Sequence, residues 1–259
     1  MRSFRIVTIG AGCLFAALAF ATPPGPGQPF ADDDPGCVPD KTEHRKCSET
    51  LAKAFATLVS GVSRCHDRQA RAAFAGSSTD EEACETKVQI RFEARRDGVA
   101  TACSAAQLAL AAAEETQLLD ASDARSLDAH NADAYCDASS GIAIDPTGDD
   151  AGWVPASPEA LWCARSVAKN VAKLAQAVLR CHAKMAYMFF AGRDFDEEGC
   201  EEFDPLNGRG ARDQYSARVD KLVARGGCPS CLDGPHQETV AFDTVTAVDG
   251  DNDRLYPCP

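Results

Sequence analysis

The chain has 259 residues, of which 45% are hydrophobic, with 26 basic against 39 acidic side chains and a formal net charge of −13. So large an excess of acid excludes nucleic acid and anionic membrane surfaces as partners, because both would repel it.

Residues 1–21 carry a basic start (Arg2, Arg5), an apolar run from Ile6 to Phe20 and an Ala19-Phe20-Ala21 cleavage site, the pattern of a secretory signal peptide. The run is too short to span a bilayer. Cys13 does not read as a lipoprotein cysteine, since Gly10 stands where an aliphatic residue is needed. Removing the signal leaves 24 basic and 39 acidic residues and 12 cysteines. An even count in an exported chain predicts a disulfide framework, and the location that follows is secreted or periplasmic. Residues 22–31, rich in proline and glycine, read as a stiff tether.

The rest of the chain is one unit written twice, 32–147 and 148–259. Cys47 to Glu85 aligns without a gap with Cys163 to Glu201 at an offset of 116, with 18 of 39 positions identical. Upstream, Asp33 to Pro39 aligns with Asp149 to Pro155. Downstream, each unit closes on Asn131, Tyr135 and Cys136 or on Asn252, Tyr256 and Cys258.

Within each unit the first two cysteines (Cys47 and Cys65, Cys163 and Cys181) lie 18 residues apart, five whole helical turns, so both sulfurs share one face. Leu51, Phe55, Leu58 and Val62, and Val167, Val171, Leu174 and Val178, continue that stripe. A long helix is predicted from about Glu159 to Ala191; Gly61 weakens its counterpart. Gly76 and Gly192 stand at C-terminal caps, and the Asp-Glu-Glu triplets from Asp80 and Asp196 start a returning helix. The fold class that follows is all-α, two tandem disulfide-stapled antiparallel helical hairpin units. Hairpin geometry pairs Cys65 with Cys84, Cys47 with Cys103, and Cys181 with Cys200. It pairs Cys163 with Cys228, with Cys231 as the alternative. Residues 204–210 read as a looped insertion. If each unit closes on itself, the last bridges are Cys37–Cys136 and Cys231–Cys258.

The order R-C-H, D-E-E-x-C-E and G-C-P-S-C-L within a repeated helical unit resembles a group of uncharacterised cysteine-rich secreted bacterial proteins. Unit one departs from the pattern by lacking the C-P-x-C. The resemblance implies export and repetition and brings no established activity.

Chemistry-bearing motifs are few. There is no G-x-S-x-G, H-E-x-x-H, P-loop or dinucleotide fingerprint, and Cys-His lacks the upstream cysteine of a haem attachment site. No cofactor is expected. The principal expectation is a non-enzymatic binding or structural module whose partner is a protein or other extracellular ligand, with an enzyme of unrecognised mechanism as an alternative. A further alternative is a divalent-metal protein that uses His66 with Glu82 and Glu85, and His182 with Glu198 and Glu201. Asp249, Asp251 and Asp253 resemble the opening of a calcium loop, but Arg254 replaces its glycine. The acidic turns at 32–34 and 149–150 read as solvated.

Overall fold

The computed structural model describes residues 22–30 and 34–259; the signal peptide expectation lies outside them. The described chain is helical: α1 (Thr42–Phe74), α2 (Glu82–Val99), α3 (Ala105–Leu119), α4 (Leu127–Ala134), α5 (Pro158–Phe190), α6 (Glu198–Glu201), α7 (Ala211–Arg225), α8 (Gly234–Gly250) and α9 (Asn252–Leu255). No described helix is long and apolar enough to cross a membrane.

The two long helices, each about 50 Å at 1.5 Å per residue, are the frame. Helix α5 starts where Ser157 accepts a hydrogen bond from the Ala160 amide and Pro158 fills the first turn. Both long helices end in a left-handed glycine, Gly76 at φ 69° and Gly192 at φ 65°. The following amide bonds back to the Ala72 or Met188 carbonyl and satisfies an otherwise orphaned acceptor. Helix α1 runs unbroken through Gly61, which sits where α2 crosses. A Cβ there would lie 2.4 Å from Val88 Cγ1, so the missing side chain is what lets the two helices approach.

Helices α1 and α5 pack against each other, and the largest core cluster mixes Leu51, Phe55 and Leu58 of the first repeat with Met185, Phe189 and Leu255 of the second. The two repeats therefore share a core. Helix α3 packs beside α1, α4 lies against both long helices, α8 packs along α5, and α9 reaches across to α3 and α1.

Among the described residues six disulfides cross-link the fold. Cys47–Cys103, Cys65–Cys84, Cys163–Cys228 and Cys181–Cys200 join the cysteines that hairpin spacing brings together. The expected Cys37–Cys136 and Cys231–Cys258 bridges are not formed. Cys37 is joined to Cys258 and Cys136 to Cys231, so both remaining bridges tie one repeat to the other. The cause is how the opening turn of each repeat is used. The turn before α1 lies on the tail of the second repeat, where the Cys37 amide bonds to the Tyr256 carbonyl at 2.8 Å. The turn before α5 lies on the tail of the first, where the Trp153 amide bonds to the Tyr135 carbonyl at 2.8 Å. Trp153 thus occupies the place of Cys37 and has no sulfur to offer Cys136.

The stretch expected to be a tether also folds back. The Gly27 amide bonds to the Val38 carbonyl, and Phe30 is buried against Phe189 and Tyr256.

Gly61→Ala should destabilise the protein. Overpacking against Val88 costs about 1–3 kcal/mol and the gain in helix propensity returns at most about 1 kcal/mol. Denaturant titration should show the loss and its recovery in Gly61→Ala/Val88→Ala. A single variant as stable as the parent would mean that the crossing is not tight.

Candidate metal centres

In each half one histidine follows the cysteine that staples the hairpin. Cys65 and Cys181 face the return arm, so the next residue turns about 100° inward, and His66 and His182 are buried. Asp80 and Asp196 cap the next helical turn, accepting from the Ala83 and Gly199 amides at 2.9 Å. With that cap set, the first Glu of the triplet and the Glu four residues on share one face. Glu81 with Glu85, and Glu197 with Glu201, point at the histidine.

Two aspartates complete each set. Asp128 comes from the first turn of α4, and Asp249 from the last turn of α8. The fourth carboxylate arrives on the opening turn described above, Asp150 for His66 and Asp34 for His182. Matching contacts hold these turns. Asn131 Nδ2 donates to the Ala151 carbonyl at 2.9 Å, and Asn252 Nδ2 to the Pro35 carbonyl at 3.2 Å. Gly152 at φ 122° and Gly36 at φ 107° let the backbone press on the tyrosine carbonyls; at Gly36 a Cβ would sit 2.6 Å from the Tyr256 oxygen.

The result is the same five residues, twice. His66 Nε2 lies 3.0 Å from Asp150, 3.1 Å from Glu85, 3.2 Å from Asp128 and 3.9 Å from Glu81. His182 Nε2 lies 2.9 Å from Glu201, 3.3 Å from Asp34, 3.3 Å from Asp249 and 3.6 Å from Glu197. All ten side chains are at most 11% exposed except Asp249, at 27%.

These distances are short, yet most of the contacts are not hydrogen bonds. The contacting oxygens of Glu81, Glu85, Asp150, Glu197, Glu201 and Asp249 have no hydrogen-bond partner, and neither does either nitrogen of His182. Buried polar atoms are normally partnered. Oxygens clustered around a nitrogen but off the axis of its lone pair have the arrangement of ligands adjacent around a common centre. With metal–ligand distances of about 2.0–2.2 Å, ligands at right angles are separated by about 2.8–3.1 Å, close to the shorter contacts observed.

Burial raises Glu81, with the charges of Asp150 and Glu85 adding to it, to about 9. Burial likewise raises Glu201 to about 10 and Glu197 to about 11, the latter helped by Glu201. Burial opposes the imidazolium form of both histidines, but the carboxylates outweigh it. His66 is raised well above its ordinary value by Asp128, Asp150 and Glu85, and His182 is pushed up to about 9 by Asp249 and Asp34. A cation entering either cluster therefore displaces protons.

Of the residues singled out from the sequence, His66, Glu85, His182, Glu201 and Asp249 come together in these clusters. Glu82 and Glu198 do not, because they turn outward to exposed positions beside the inward-facing Glu81 and Glu197. Asp251 pairs with Arg125 and Arg254, and Asp253 is exposed, so no calcium loop forms. The acidic turns are not solvated throughout, since Asp34 and Asp150 are buried ligand candidates. Sequence reasoning also missed Glu81, Glu197 and Asp128. The repeat held the clue: Asp34 and Asp150, and Glu81 and Glu197, are identical at the offset of 116. Asp128 and Asp249 stand equally before Asn131 and Asn252.

No family model, curated protein or solved structure matches the chain.

A metal-free fold should weaken as pH rises. The shifted glutamates and histidines all have folded values above their ordinary 4.5 and 6.5, so the folded state holds more protons than the unfolded one. Their contribution is fully present below those ordinary values and is lost as pH climbs through about 9–11. Melting curves in chelator should show Tm falling between pH 6 and 9, and less steeply in Glu197→Gln. A rising Tm over that range would contradict the buried, proton-holding clusters.

Proposed function

We propose that the protein is an exported metal-binding protein that holds two divalent first-row transition ions, one in each half, by one imidazole and four carboxylates. The observation that carries this reading is the repetition of an inward-facing N1O4 set, most of its contacting oxygens without a hydrogen-bond partner, in two places that the chain builds from different segments. A solvated acidic surface would not bury eight carboxylates around two histidines. Without a counter-ion, each set would carry up to four negative charges in a poorly solvated interior, where uncompensated charge is strongly disfavoured.

Ligand chemistry narrows the ion. Carboxylates suit hard cations and imidazole suits the later ones, so the mixed set fits Mn2+ or Fe2+, with Zn2+ as a competitor. The imidazole in each set argues against calcium, whose ligands are oxygens. Five protein ligands in a buried cluster resemble a closed centre more than a catalytic one, which keeps a position open for water or substrate. The centre thus serves structure, storage or carriage of the ion. Six disulfides fit an extracellular or periplasmic setting, in which covalent and metal cross-links together stabilise a small core.

Protein purified without a histidine tag and loaded with Mn2+, Fe2+ or Zn2+ should hold two equivalents by elemental analysis. His66→Ala, His182→Ala and Asp34→Asn should each lose one. Calorimetry in buffers of different ionisation enthalpy should show at least two protons released per ion at pH 7. Ion at a hundredfold excess over Kd should add about 2.7 kcal/mol of stability per site. Failure of all three ions to bind or to raise Tm would leave the clusters as proton-sharing polar groups and end the metal reading.

A further inference from the structure

Between the two repeats, α1, α3, α4, α5 and α8 line a cleft of about 220 Å3, open on one side. It arises from short side chains. Ala168, Ala172 and Ala175 of α5 line it with short side chains, beside the seam where Leu174 and Val178 of α5 pack with Ala241 and Val245 of α8. The walls include Val59 of α1, Val171 and Leu179 of α5, and Val248 of α8. An apolar cavity of about 150 Å3 stays dry and takes up benzene; in proportion, this one accommodates a hydrocarbon of about nine carbons.

The gap opens to solvent between α4 and α8, where the exposed His130, Asp243 and Ala247 form its rim. The rim is unevenly charged. Glu114 and Asp251 are already engaged by Arg254, at 2.7 Å and 3.0 Å, and Asp251 also by Arg125. Asp133 accepts from His130 at 2.8 Å. Asp243 forms no ion pair with an arginine or lysine among the described residues, although its charge helps to raise His130 above its ordinary value. An entering molecule therefore meets an apolar interior and, at the entrance, a carboxylate that no arginine or lysine among the described residues engages.

We propose that this inter-repeat cavity binds a small cationic amphiphile, a hydrocarbon chain of about nine carbons bearing an amine that pairs with Asp243. The body of the ligand fills the alanine-lined gap and is removed from water, which supplies most of the affinity. The ammonium stays at the rim, where an acidic edge favours it over a carboxylate head of the same length. The site is separate from the metal reading: it needs neither ion, although His66 contributes to its inner wall.

The test uses the mature protein and the neutral dye N-phenyl-1-naphthylamine at low salt and pH 7. One equivalent of dye should bind with enhanced fluorescence. Decylamine should displace it at a concentration at least tenfold lower than decanoate. Asp243→Asn should bring that ratio close to one, and Ala247→Trp, a plug at an exposed rim position, should weaken dye binding at least tenfold with unchanged circular dichroism. His182→Ala, which removes the more distant metal centre, should leave dye binding as it was, so failure of the metal proposal would not register here. No dye binding, equal binding by Ala247→Trp, or displacement by decanoate as effective as by decylamine would overturn the proposal.

Discussion

Burying a histidine among four carboxylates is the constraint on which the rest of the structure turns. Each of these groups loses hydration on entering the interior, and imidazolium offsets only one negative charge. The arrangement persists only if protons or a cation supply the balance and if the surrounding helices hold the groups together against their repulsion. The cross-links lie where that repulsion acts. Cys65–Cys84 and Cys181–Cys200 bracket the turn that carries the glutamates, and Cys37–Cys258 fixes the turn that carries Asp34. Covalent bonds and ligand convergence are thus two sides of one solution: the disulfides keep the donor groups close, and an ion would remove the reason for them to separate.

Much of the scaffold was legible in the sequence, and the reason is local periodicity. Helix α5 was expected from Glu159 to Ala191 and runs from Pro158 to Phe190, because its apolar stripe, its proline-marked start and its glycine stop all agree. Four bridges follow from cysteines placed at matching heights on antiparallel arms. Helices α3, α4 and α8 were harder to see. Their buried positions include Gln107, Glu115, Asp128 and Gln237, polar residues that break the hydrophobic pattern while being buried against other elements.

The ligand sets were legible only in part, for a different reason. Glu85 and Glu201 lie close in sequence to the histidine hairpins, whereas Asp34 reaches His182 only through the closure of the whole chain. Taking each repeat as self-contained misassigned both the last two disulfides and the acidic turns. A one-residue ambiguity within Asp-Glu-Glu then exchanged Glu81 for Glu82 and Glu197 for Glu198. That choice depends on which acid caps the helix, and the cap is visible only in three dimensions.

The opening turn of each repeat completes its neighbour, and in a two-repeat chain the last neighbour is the first. Residue 27 lies against Pro259, and the bond between Cys37 and Cys258 seals the join. The two repeats therefore close on each other cyclically, with matching backbone contacts at both junctions but a disulfide at Cys37 in one and Trp153 at the equivalent place in the other. Joining the present ends and opening the chain in the exposed loop at 145–149 gives a circular permutant in which every ligand and every bridge keeps its partner. In this fold, the order in which the two halves are written carries little structural information; what matters is that each is followed by the turn of the other.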